Sequence, residues 1–256
     1  MFDENFKLDD HRGKYILVGQ VGSKSYGIDI PESDDDYMGV AVAFLSHYTG
    51  LESWENSGTL KIDRKELCNA ELTVFELKKF LHLCLGFNPN VIPLLYLRAQ
   101  DYVWMSDGGN QIIIDRNAFT SRRAYGTMIN YAKNQRKAVV NGDTGKLGMK
   151  RKELVKQFGY DVKYAAHTIR ILRMGIEFFQ TGQMNVYRTW DQGELRAIRS
   201  GRWQLTAWIQ LVDELLLEAT KAEKEGNLPD KPNFKLVNDL CMNIIGSYTD
   251  LRKYYD

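Results

Sequence analysis

Three consecutive aspartates, Asp34, Asp35 and Asp36, stand immediately before the apolar run Tyr37 to Phe44. Such crowding of like charge is unfavourable unless something positive relieves it. In an extended chain alternate side chains point to the same side, so Asp34 and Asp36 share one face and Asp35 takes the other. Two carboxylates on one face are a ligand pair for hard divalent cations, which prefer oxygen donors. Ten residues separate this run from Gly22-Ser23, a pair that closes the β-rich segment Tyr15 to Val21. Where a strand gives way to a helix, backbone amides and a serine hydroxyl can converge on a phosphate, and a glycine lets that phosphate come close. Each feature alone has an ordinary reading, a polar turn for the aspartates and a common tight turn for Gly-Ser.

The elements that must position these residues are legible from patterning. Tyr15 to Val21 reads as a buried first strand, Asp36 to Phe44 as a second, and Thr59 to Leu67 alternates as a third. Thr73 and Glu76 have the spacing of a capping box and predict a helix start there. Leu77, Phe80, Leu81, Cys84 and Leu85 then recur at helical spacing up to Gly86, and Asn88-Pro89-Asn90 marks a break before another short helix. Beyond Ala118 the strand signals fade, and helical periodicity covers segments near 121–140, 153–181, 191–199 and 203–225. Between the first two of these, three glycines and a basic cluster within 140–153 predict a mobile loop. The expected fold class is α+β, a small mixed β-sheet core with flanking helices over 1–118 and an α-helical domain over 119–256.

Composition narrows the possibilities further. The chain has 256 residues, 44% hydrophobic and 26% charged, which is enough to bury a core and unlike a disordered sequence. The N-terminal residues are acidic rather than signal-like, and apolar stretches such as Val91 to Leu97 are too short to cross a bilayer, so a soluble, cytoplasmic protein with no membrane partner is expected. Cys68, Cys84 and Cys241 are scattered and odd in number, which predicts buried free thiols rather than disulfides or a zinc knuckle. The net charge of +1 conceals opposite halves: residues 1–118 carry 11 Lys and Arg against 18 Asp and Glu, and residues 119–256 carry 23 against 15. Between Phe119 and Arg202 the count is 17 against 6, a surplus that attracts phosphate-rich partners unless it is merely a solvated surface.

The segment GSKSYG followed by SDDDYMGV resembles the signature of the DNA polymerase β-like nucleotidyltransferase superfamily, a strand, Gly-Ser, a spacer and Asp-x-Asp on the next strand. The added Tyr26, Gly27 and Ser33 are similar to its bacterial and phage branch of predicted nucleotidyltransferases. Asp35 departs from the pattern, which usually has an apolar or aromatic residue between the two aspartates. The superfamily supplies a third carboxylate from a later strand. Asp63, Glu66 and Glu71 are the candidates, and Glu71 fits best because it precedes a helix followed by Asn-Pro. The resemblance continues through FGYDVKYAAHTIRILRMGIEFFQTGQM, where Lys163, His167 and Arg170 share one helical face, opposite a stripe including Ala166, Ile169 and Met174.

The resemblance implies transfer of a nucleoside monophosphate from a nucleoside triphosphate to an acceptor hydroxyl, with release of pyrophosphate. Asp34, Asp36 and Glu71 would hold two Mg2+ ions, with Mn2+ as a substitute, and Gly22, Ser23, Lys163, His167 and Arg170 would bind the nucleotide. The basic stretch favours an RNA end as acceptor, and Arg188, Arg196, Arg199 and Arg202 beside Trp190 and Trp203 form a candidate stacking surface for nucleic acid. Alternatives are nucleotidylation of a protein or small molecule, or a catalytically silent nucleotide- or RNA-binding module. No GxxxxGK[ST] or HExxH motif points to a P-loop enzyme or zinc protease. Oligomeric state and preferred base are left open.

Overall fold

The computed structural model of the chain describes residues 12–31, 33–62, 70–142 and 148–248. Its five strands are β1 (Gly13–Val21), β2 (Asp36–Ala43), β3 (Asn56–Ile62), β4 (Ala70–Glu76) and β5 (Tyr102–Met105), in the order β3-β4-β2-β1-β5. β2 and β4 run parallel, and the other pairings are antiparallel. The first-half helices are α1 (Gly22–Ser25), α2 (Leu45–Thr49), α3 (Leu77–Leu85) and α4 (Asp107–Ile114), with short 3-10 turns at Ile92–Tyr96, Ala99–Asp101 and Asp115–Phe119. Then come α5 (Arg123–Asn141), α6 (Met149–Phe158), α7 (Val162–Thr181), α8 (Gln192–Arg199), α9 (Leu205–Glu225) and α10 (Phe234–Tyr248). The fold is therefore α+β, a small mixed sheet with short flanking helices followed by a largely helical region.

Period-two alternation gives the sheet two different faces. Met38, Val40 and Val42 of β2 join a large core with α3 and the helical region, whereas Tyr37, Ala41 and Ala43 pack on the other face with Leu72, Val74 and Trp54. α7 is the axis of the helical region, buried along most of its length and packed by α5, α8 and α9. One apolar cluster runs from Ile16 and Leu17 in β1 through α7 to Ile244 in α10. α10 itself leaves the helical region and packs against α3, α4 and β2.

Several local expectations are corrected. Thr73 lies within β4, and Glu76 is itself the N-cap of α3, accepting from Lys79 N at 3.0 Å and from the Tyr48 hydroxyl at 2.6 Å. The Thr-x-x-Glu spacing was thus a strand end meeting a cap, not a capping box. The stretch 153–181 is two helices, because Asp161 accepts from Tyr164 N at 3.0 Å and starts α7 afresh after α6 ends. The basic cluster expected in a loop instead opens α6, while 143–147 lie outside the described residues. The third strand begins earlier than expected, at Asn56, and Asp63 to Leu67, which include the candidates Asp63 and Glu66, lie outside the described residues, as does Cys68. Cys84 is a buried free thiol and Cys241 a half-buried one. Among the described residues no helix is long and apolar enough to cross a membrane.

Candidate active site

The turn after β1 is built by Gly22. Its φ of +71° is left-handed, and a Cβ there would overlap the Asp36 carboxylate. Only glycine satisfies both demands without strain. The chain then makes one helical turn, with Ser25 Oγ donating to Gly22 O at 3.0 Å and Ile28 N to Ser23 O at 3.0 Å. Val21 and Asp36 are antiparallel partners in the sheet, so strand register itself brings the Gly-Ser turn beside the second aspartate.

The three aspartates diverge as alternation dictates. Asp35 turns away and is held by Lys24 Nζ at 2.6 Å and Gln20 Nε2 at 3.1 Å. Asp34 and Asp36 line a cavity of about 540 Å³ together with Gly22 and Ser23. Asp36 is half-buried, and its carboxyl titrates above the usual range, first because of burial and then because Glu71 and Asp34 repel its charge, with Lys163 opposing the shift. Glu71 sits on β4 as the parallel partner of Asp36, exposed, and is not among the residues lining the cavity. Among the described residues no three His, Cys, Asp or Glu side chains form a closed group that could hold an ion. Asp34, Asp36 and Glu71 are thus neighbours at adjacent strand starts rather than a ready-made cage.

The opposite wall comes from the helical region: Lys163, Ala166, His167 and Arg170 of α7, Leu154 of α6 and Arg199 of α8. Ala166 lines the cavity with the polar residues, so the expected separation of a polar face from an apolar one is corrected: α7 is enclosed almost all round. Arg170 is buried, stacks on the Tyr26 ring at 3.3 Å and contacts Met174 Sδ at 3.4 Å, with no carboxylate partner among the described residues. Burial weakens its hold on the proton, although guanidinium remains charged at any ordinary pH. His167 is driven well below the normal imidazole range by burial and by Arg170 and Arg151, so it is neutral at pH 7. Its Nε2 is buried without a hydrogen-bond partner, and its ring lies 5.6 Å from that of Tyr131. The Tyr131 hydroxyl in turn donates to Asn90 Oδ1 at 3.2 Å, and Asn90 reaches the same cavity.

Seven residues singled out by sequence, Gly22, Ser23, Asp34, Asp36, Lys163, His167 and Arg170, therefore meet on one cavity. Sequence reasoning gave no site role to Tyr26, Ser33 or Asn90, and it grouped Arg199 with a nucleic-acid surface. Tyr26 and Ser33 were visible as motif positions, but only their contacts give them work. Arg188 is a correction. It is 1% exposed and bonded to Glu177 at 2.7 Å and Asp191 at 2.9 Å, so it cannot stack on nucleic acid.

A cavity between a mixed sheet bearing Gly-Ser and Asp-x-Asp and a helical region belongs to the DNA polymerase β-like nucleotidyltransferases. Within that superfamily, residues 7–242 match the model of the RlaP family, described as the RNA repair pathway DNA polymerase beta family, and the chain belongs to it. Among solved structures, the chain is similar to a nucleotidyltransferase-like protein from Exiguobacterium sibiricum 255-15, at 9% identity and a TM-score of 0.32 over 83% of this chain and 72% of that one. It is also similar to spectinomycin adenyltransferase AAD(9) from Enterococcus faecialis, solved with ATP and spectinomycin, at 12% identity and a TM-score of 0.37 over 92% of this chain and 91% of that one. No curated protein matches the chain.

Proposed function

We propose that this protein transfers a nucleoside monophosphate from a nucleoside triphosphate to the hydroxyl of an RNA end. The observation that carries the reading is the cavity itself, with Gly22, Ser23, Asp34 and Asp36 on one wall and Lys163, His167, Arg170 and Arg199 on the other. Acidic groups that would hold cations face basic groups that would hold phosphates. In the reaction the acceptor oxygen forms a bond to the α-phosphorus as the bond to the bridging oxygen of pyrophosphate breaks.

In this reading Asp34, Asp36 and Glu71 would hold two Mg2+ ions, or Mn2+ in their place. Asp36 is raised in pKa first by burial and then by repulsion from Glu71 and Asp34, a repulsion that a bound cation would relieve. An open set suits Mg2+, which commonly takes one or two carboxylates and completes its shell with water and substrate phosphates. When bound, the ions supply Lewis-acid stabilisation of the attacking and leaving oxygens. Ser23 and the α1 amides would orient the triphosphate, and Arg170, a buried cation, would offset its charge. Neutral His167 would donate or accept one hydrogen bond toward the nucleotide. The catalytic unit is proposed as 1–118 and the nucleotide- and substrate-binding unit as 119–256.

RNA is favoured as acceptor by the RNA repair description of the family and by exposed cations on the helical region. Lys133 and Lys137 on α5 and Lys152 and Lys156 on α6 are exposed and have no ion-pair partner among the described residues. The test is incubation with Mg2+, each α-labelled nucleoside triphosphate, and total RNA or total protein. Label entering RNA with release of pyrophosphate is expected. Label in the protein pool would replace the acceptor, and no transfer to any pool would reject the enzymatic reading.

A further inference from the structure

The described residues of the loop between the Gly-Ser turn and Asp34 are held at several points by the segment leading into and through α8. Arg188 N donates to Tyr26 O at 3.0 Å. Tyr187 and Gln192 fill the space beside Gly27, where a Cβ would overlap both. Arg196 approaches Asp29 at 3.7 Å. Arg199 makes the last and best directed contacts, donating from one terminal nitrogen to Ile28 O at 3.1 Å and from the other to Ser33 Oγ at 3.2 Å. Ser33 Oγ also accepts from Ile30 N at 2.9 Å, and Ser33 N donates to Ile30 O at 2.9 Å, so the serine closes a small turn immediately before Asp34.

Among the described residues Arg199 makes no ion pair, although Asp29, Asp36 and Asp34 all act on it electrostatically. Its Nε is buried without a partner. A group placed only to neutralise the carboxylates would bond to one of them. This guanidinium spends both terminal nitrogens on the loop instead, in a fork geometry that an ammonium cannot copy.

We propose that Arg199 is a positioning residue, acting through Ser33 to fix Asp34 relative to Asp36, so that α8 of the helical region sets the geometry of the cation-binding carboxylates. This rests on the metal-dependent reading above and adds to it a control that lies outside the sheet. Groups that orient a metal's ligands typically change its affinity by about ten- to a hundredfold when removed.

The test is direct titration of Mn2+ alone onto the full chain, followed by electron paramagnetic resonance of the free ion, for wild type, Arg199→Gln, Arg199→Lys, Ser33→Ala and the double variant Ser33→Ala/Arg199→Gln. Arg199→Gln is expected to weaken uptake by roughly tenfold or more. Lysine should restore it only in part, and the double variant should be no weaker than Arg199→Gln alone. If Arg199 merely repels cations, its removal would leave uptake unchanged or tighten it, which overturns the proposal. Additive losses in the double variant would overturn it as well, since the arginine would not then work through Ser33. Should Arg199→Gln fail to fold, Ser33→Ala decides, with weakened uptake supporting the latch and unchanged uptake rejecting it. A wild-type chain that takes up no Mn2+ would reject the metal reading and the latch together, whereas wild-type uptake that the variants do not alter would reject the latch alone.

Discussion

The acidic half and the basic half of this chain use their charges in opposite ways. Around β2 the carboxylates of Asp34, Asp36 and Glu71 stand near one another with no ion pair among the described residues, and Asp36 is raised in pKa first by burial and then by repulsion from Glu71 and Asp34. In the helical region several arginines are instead paired with acids of the same region. Arg173 bonds to Asp191 and Glu194, Arg188 to Glu177 and Asp191, Arg151 to Asp161, Arg122 to Glu223 and Arg136 to Asp213. A charge count along the sequence treats both halves alike. Only burial and pairing reveal that one half keeps its charge at a cavity while the other spends part of it on its own architecture.

The sharpest way to break this comparison is to remove one internally spent charge. Arg188→Ala leaves half-buried Glu177 without its cation and buried Asp191 with Arg173 alone, and should cost about 3 kcal/mol of stability, read as a large drop in denaturation midpoint. Loss of RNA affinity at unchanged stability would instead return Arg188 to the nucleic-acid surface. Asp36→Ala should do the reverse, lowering transfer by at least the roughly 10²- to 10³-fold that loss of one charge-stabilising group costs, at unchanged or raised melting temperature. A variant with full Mg2+-dependent turnover would show the site to be misplaced.

Gly22→Ala adds a methyl group against the Asp36 carboxylate at a left-handed position, which alone costs about 1–2 kcal/mol. Its activity should fall out of proportion to that loss, measured as turnover against midpoint. Smaller still is the pH effect. The folded chain holds the Asp36 proton more tightly than the unfolded chain does, so it binds more protons over the interval between the two pKa values. Stability therefore falls as pH rises through that interval. In chelator, wild type should lose stability relative to Asp36→Asn as pH rises from about 4, and this difference should shrink on adding Mg2+. Parallel melting curves would count against the raised pKa. Least of all, Lys152→Glu with Lys156→Glu should leave stability within about 0.5 kcal/mol while weakening RNA binding at low salt and flattening its salt dependence.

Much of the site was legible because strand alternation and register are local rules. Gly22, Asp34 and Asp36 could be set beside one another from two apolar runs and a turn. Lys163, His167 and Arg170 could be placed on one helix from their spacing, but not how deeply that helix is enclosed, since burial on every side depends on α5, α8 and α9 arriving from elsewhere in the chain. β4 was concealed because Thr73 and Glu76 imitate a capping box, and β5 because four half-buried residues carry little periodicity. Arg199 and Arg188 look alike in sequence. Their fates differ because one faces a loop from the opposite half, 166 residues away at Ser33, and the other faces acids within its own region.

The return of α10 to the sheet half bears on how the protein is made. Ile244 and Tyr248 cover Gly108 at the start of α4, and the Tyr248 hydroxyl bonds to Ser106 Oγ, the cap of that helix, at 2.7 Å. During synthesis the N-terminal sheet would leave the ribosome with this flank still open to water, and its seal arrives only after the intervening helices have been translated. A fragment ending near residue 118 would lack that seal and is expected to aggregate more readily than the full chain.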